Sequence, residues 1–269
     1  MKTAQLSKAS LSYVDEGTGR PVLLVHGFPL DHTMWDAQIA ALATKVRVIA
    51  PDLRGFGRSP VAPVDAERGI MMEDFADDLV ELLDQLAVHE PVVFVGLSMG
   101  GYIGWQFARK HGGRVRALVQ CDTRAIADND EARAGRIKTA ESVTETGSGK
   151  VADAMEPKLF APATFEKRPE IVAATRKVME TTPPAGIAAA LRGMAARPDV
   201  TDFLPTIKVP TLVMVGEHDV ISSAAEMKTI ADAIPGAKYI VIQRAGHMTT
   251  VEEPVAVNEV LTRFIAELP

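Results

Sequence analysis

A chain of 269 residues with 47% hydrophobic content is long enough to bury one large core, and a formal charge of −6 with no Lys/Arg run argues against nucleic acid as a partner. Its one cysteine, Cys121, rules out an internal disulfide or a cysteine metal cluster, and its place in an apolar run reads as a buried, inert thiol. Residues 1–6 lack the apolar core of a signal peptide and no apolar run approaches membrane-spanning length, so the expectation is a cytoplasmic protein with no membrane partner.

In chain order, residues 11–14 alternate as a half-exposed strand, 15–19 mark a turn, and 21–25 form a buried run; together they predict a hairpin opening the sheet. The buried run ends at His26-Gly27-Phe28-Pro29, at the strand end where open α/β sheets bind ligands. Helical spacing follows around Met34, Trp35 and 39–42, and 46–50 is the next strand. Residues 51–60 form a loop rich in turn formers. Its partial Gly-x-Gly has Pro60 where a dinucleotide fingerprint needs glycine, so no nucleotide cofactor is expected, and Asp52 and Arg54 are expected to bond to the loop backbone.

Phe75, Leu79, Leu82, Leu83 and Leu86 fall at helical spacing, with Asp77, Asp78, Glu81 and Asp84 on a face that reads as solvated. The strand 92–95 then runs into Gly96-Leu97-Ser98-Met99-Gly100-Gly101 and a helix from 99 to about 111. A turn that tight strains the serine backbone. Glycine is needed at 96 and 100, where a Cβ would meet the neighbouring chain, and the turn lifts the Ser98 hydroxyl off the sheet edge as a nucleophile elbow.

After the strand 115–119, the residues from 124 to 205 turn rich in Ala, Glu, Lys and Arg. They predict about four short helices cut by Pro157, Pro162, Pro169, Pro183-Pro184 and Pro198, the clearest over 170–180 and 186–196. The sheet resumes with 211–215, ending at Gly216-Glu217-His218-Asp219, and closes with 238–242, ending at Ala245-Gly246-His247. Helices over 224–234 and 254–268 complete the pattern. It describes an α/β fold with a mostly parallel central sheet flanked by helices and a helical cap inserted after the sixth strand. The core is expected over 1–123 and 206–269, the cap over 124–205.

His26, Ser98, Asp219 and His247 each follow a predicted strand, which gathers them on one sheet edge. A serine hydroxyl needs a neutral imidazole to take its proton and a carboxylate to fix that imidazole's tautomer, and Ser98, His247 and Asp219 supply the three groups. Asp122, after the strand 115–119, competes for the role of acid. His26 reads as a loop brace, and His32, His89, His111 and His218 show no metal-ligand spacing, so no metal is expected.

The elbow at Ser98, the His26-Gly27-Phe28-Pro29 loop, residues 52–59, Gly216-Glu217-His218-Asp219 and Gly246-His247 together resemble the α/β-hydrolase family over nearly the whole chain. Within it the sequence is most similar to small bacterial carboxylesterases and 3-oxoadipate enol-lactonase-like hydrolases. The resemblance implies that Ser98 is the nucleophile, His247 the base and Asp219 its acid, with the backbone N–H groups of Phe28 and Met99 as the oxyanion hole. It implies hydrolysis of a small-molecule carboxylic ester or lactone through an acyl-enzyme, without cofactor. Sparse aromatics in the cap point to small or medium acyl groups, with Phe28, Trp35, Met99, Phe160 and Met194 as candidate substrate-binding residues. Ser98 excludes the aspartate-nucleophile branches. Haloperoxidase-like perhydrolysis and hydroxynitrile lysis on the same three residues stay open, as does a receptor-like ligand-binding role. Monomer and homodimer are equally compatible with the sequence.

Overall fold

Runs such as Val92–Leu97, apolar and buried at every position, can only pair inside a sheet covered on both faces. A computed structural model describes residues 1–269. Eight strands, β1 (Lys2–Gln5), β2 (Ser10–Glu16), β3 (Pro21–Val25), β4 (Arg47–Pro51), β5 (Val92–Leu97), β6 (Val115–Cys121), β7 (Thr211–Gly216) and β8 (Lys238–Ile242), form one sheet in the order β1-β2-β4-β3-β5-β6-β7-β8. From β4 to β8 all neighbours are parallel, while β1 and β2 are antiparallel to their partners. The carboxyl ends of β3, β5, β6, β7 and β8 therefore share one edge.

Between β3 and β4 lies α1 (Asp36–Leu42), and between β4 and β5 lie α2 (Pro63–Arg68) and α3 (Met72–Gln85). Helix α4 (Met99–Lys110) joins β5 to β6. Five helices, α5 (Asp130–Thr146), α6 (Ser148–Leu159), α7 (Pro162–Lys167), α8 (Pro169–Thr181) and α9 (Pro184–Ala195), form a helical insertion after β6. Helix α10 (Ala224–Ala233) joins β7 to β8, and α11 (Thr249–Glu252) and α12 (Pro254–Ala266) end the chain. No helix is long and apolar enough to cross a membrane.

Strand alternation splits the core in two. Leu23, Val25, Phe94, Leu118 and Val213 point to the face covered by α3, α4 and α10, whereas Val22, Leu24, Val93, Val119 and Leu212 point to the face covered by α1 and α12. The predicted apolar stripe of α3 is buried at Phe75, Leu79, Leu82 and Leu83.

The structure corrects four sequence expectations. The opening hairpin is β1 with β2, and β4 separates β2 from β3. The turn after β2 carries the chain across β4 instead: Gly17, at φ 78°, sits where a Cβ would lie 2.1 Å from Val46 O. The insertion has five helices because Gly147, at φ 79°, ends α5. Meanwhile Pro157 sits in the last turn of α6, where its missing N–H costs one ladder bond, and Pro162, Pro169 and Pro184 begin helices. Arg54 bonds to carboxylates rather than backbone, reaching Asp78 at 2.6 Å and Asp65 at 2.9 Å. Asp78 accordingly leaves the solvated face of α3 and is buried.

The insertion meets the rest of the molecule closely through α9. Gly186 and Gly193 would place a Cβ 1.9 Å from Gly55 O and 1.8 Å from Ile70 O, and the Ile70 N–H donates to Ala189 O at 3.1 Å. Any side chain at either glycine would lift α9 away.

Candidate active site

The elbow is built by close approach. A Cβ on Gly96 would lie 2.3 Å from Gly100 O, and one on Gly100 would lie 2.2 Å from Val25 O, so β5, α4 and β3 touch backbone to backbone. Between them Ser98 takes φ 53°, ψ −112°, a region non-glycine residues rarely occupy. The conformation is tied to β6: the Ser98 N–H donates to Cys121 O at 2.9 Å, and the Thr123 hydroxyl donates to Ser98 O at 2.8 Å. Ser98 itself is half-buried. Nothing in the sequence marks Thr123, because a threonine after a strand carries no signal until the partner carbonyl is known.

His247 and Asp219 come together from consecutive strand ends, with His247 Nδ1 2.8 Å from Asp219 Oδ2 and both side chains buried. The other Asp219 oxygen accepts the N–H groups of Ile221 at 2.7 Å and Ser222 at 3.0 Å. A carboxylate held by three donors keeps the proton on Nδ1 and leaves Nε2 with its lone pair free to accept one. No hydrogen bond joins Ser98 Oγ to the His247 ring, and catalytic contacts of this kind commonly tighten along the reaction path.

Asp122 also reaches this cluster, with a carboxylate oxygen within 4.8 Å of an Asp219 oxygen and a His247 ring nitrogen. Its oxygens are engaged elsewhere, by Gly216 N–H at 2.8 Å and the Thr249 hydroxyl at 2.5 Å. Burial pushes its carboxyl well above the usual range, and repulsion from Asp219 adds to that. Of the two rivals, Asp219 is the one bonded to the imidazole.

The Phe28 and Met99 N–H groups are taken up by no loop, cap or side-chain hydrogen bond. Met99 opens α4, where free N–H groups and the helix dipole favour negative charge. His26 holds the Phe28 loop in place: its Nδ1 bonds to Gly27 O at 2.9 Å and its Nε2 accepts the Leu53 N–H at 2.9 Å. Burial pushes His26 below the ordinary histidine value, which suits a ring whose Nε2 must accept.

The five candidate substrate-binding residues do not make one wall. Phe28, Met99 and Met194 belong to the core on one face of the sheet, Trp35 and Phe160 to the core on the other. Trp35 is fully enclosed, so burial makes it a core residue. Phe28 does border a cavity of about 660 Å³ between α5 and α6, with Leu191, Met155, Thr139, Arg136 and Lys150. A second cavity of about 340 Å³, between α8 and the residues leading into α1, reaches Met248 beside His247.

Residues 20–254 match the family model described as the alpha/beta hydrolase fold. The chain belongs to the α/β-hydrolase family. A thermophilic esterase from Thermogutta terrifontis, solved with malate bound, superposes with a TM-score of 0.97 at 43% identity, covering 100% of this chain and 99% of that one. The enol-lactonase from Burkholderia xenovorans gives a TM-score of 0.90 at 31% identity, covering 99% and 100%. Among curated relatives, 3-oxoadipate enol-lactonase 2 of Acinetobacter baylyi is 29% identical over 97% of each chain. This α/β-hydrolase is thus an enzyme whose relatives act on esters and lactones.

Proposed function

We propose that this α/β-hydrolase is a serine hydrolase that cleaves small to medium carboxylic esters or lactones through an acyl-enzyme. The observation that carries the reading is the strained backbone of Ser98, at φ 53°, which only a turn fixed by Gly96 and Gly100 would retain. In the proposed cycle His247 Nε2 takes the Ser98 proton as Oγ attacks the carbonyl, and Asp219 holds the resulting imidazolium. The oxyanion is received by the N–H groups of Met99 and Phe28; losing one such donor typically costs about 3 kcal/mol of transition-state stabilisation. His247 then protonates the departing alkoxide, and water, activated by the same ring, releases the acid and restores Ser98.

Residues 124–205 act as a cap over this edge, and the cavity beside Phe28 is our candidate for the substrate channel. Esterase and enol-lactonase relatives support both substrate classes. A fluorophosphonate probe tests the nucleophile directly: digestion and mass spectrometry should find the adduct on Ser98 alone. Labelling at another residue would contradict the reading. A chain-length series of p-nitrophenyl esters beside simple lactones then ranks the classes, with peracid formation from acetate and peroxide as the contrasting activity.

A further inference from the structure

Glu252, at the end of α11, has no exposed surface, and its carboxylate joins two parts of the chain. Oε1 accepts the N–H of Gly246, the residue before His247, at 2.7 Å. Oε2 accepts the Ala161 N–H at 2.8 Å and the Thr164 hydroxyl at 2.6 Å, both from the helical insertion. Two more bonds run alongside: the Met248 N–H donates to Leu159 O at 3.1 Å, and the Arg168 guanidinium donates to the Glu252 carbonyl. A Cβ at Gly246 would lie 2.6 Å from Ala161 N, so the two segments are in backbone contact.

The donors to this carboxylate are two amides and a hydroxyl, and no cation lies within ion-pair distance. Burying an unpaired charge is an expensive way to stabilise a fold, and apolar packing of the same volume commonly serves as well. What the carboxylate supplies is direction: three convergent donors fix 159–168 against 246–248 as one piece. His247 is therefore anchored twice, through its ring by Asp219 and through the backbone N–H of its neighbour Gly246 by Glu252.

We propose that Glu252 is a positioning residue that sets the His247 ring against Asp219 and passes movement of residues 159–168 to that base. This rests on His247 acting as the base. Glu252→Gln keeps the size but sets an N–H₂ against the N–H of either Gly246 or Ala161, so that whichever way the amide turns one side of the clasp opens. Because misplacing a reacting group by about 1 Å can cost about a hundredfold, we expect kcat for p-nitrophenyl butyrate to fall at least about tenfold while KM stays within about twofold. The far-downfield proton resonance of the His247–Asp219 hydrogen bond should broaden. Thr164→Val, which removes one donor from the insertion, should lower kcat by a smaller factor, about threefold.

A folded Glu252→Gln with wild-type kcat and resonance, or with a change in KM alone, overturns the proposal. Should that variant not fold, Thr164→Val decides, and wild-type kcat there overturns it equally. Turnover that survives in Ser98→Ala would instead count against the serine hydrolase reading. The resonance is read without turnover, so it tests the clasp separately.

Discussion

At the scale of single residues, the site turns on which carboxylate serves the imidazole. Asp219 and Asp122 are both buried at the same sheet edge, but only Asp219 bonds to His247. Asp122 is spent on Gly216 and Thr249, and burial keeps it above the carboxylate range. We expect Asp219→Asn to lower kcat on p-nitrophenyl butyrate by about 10⁴, as loss of a tautomer-fixing carboxylate does elsewhere, and Asp122→Asn to stay within about tenfold of wild type. Parallel kinetics on the two variants check this. The sequence points to Ser98, Asp219 and His247 because each follows a strand with a glycine nearby, and the structure brings Asp219 and His247 together. Trp35 was misplaced because an aromatic near a loop looks the same in sequence whether it lines a pocket or, as here, fills the core. Glu252 was invisible for a related reason: Glu253 beside it is the same residue type, and only the fold turns one of them inward.

At the scale of elements, the elbow depends on missing side chains. Gly96 faces Gly100 O and Gly100 faces Val25 O at distances no Cβ tolerates, and both neighbours are backbone that cannot rotate away. Gly96→Ala should therefore destabilise the fold by about 3 kcal/mol, an overpacking cost read from urea denaturation, and should reduce fluorophosphonate labelling of whatever folds. Strand and helix periodicity carried most of the architecture into view. It failed where pairing is set by remote neighbours: β2 and β3 are close in sequence, yet β4 lies between them. It also failed where a glycine rather than a proline breaks a helix, as Gly147 does between α5 and α6.

At the scale of the molecule, the two ends of the insertion are held together by buried charge as well as by packing. Asp128, after β6, pairs with Arg136 of α5 at 2.6 Å and with Arg197, after α9, at 2.8 Å. Burial opposes its ionisation, but hydrogen bonds from Arg197 and Arg136 prevail and hold the carboxyl below its ordinary value. A lowered folded-state pKa gives stability that is present above the unfolded value, about 3.9, and lost as pH falls through the folded one. The stability gap between wild type and Asp128→Asn should therefore be widest above about pH 5 and narrow below about pH 4. Urea denaturation across that range checks it, and a gap independent of pH would contradict it.

The proposed chemistry begins at one hydroxyl, that of Ser98. Hydrolysis of p-nitrophenyl butyrate by wild type and Ser98→Ala, with circular dichroism to establish that the variant is folded, tests it most directly. Wild type should turn the ester over, and the variant should lose at least about a thousandfold. A folded Ser98→Ala enzyme that keeps more than about a tenth of wild-type turnover would contradict it.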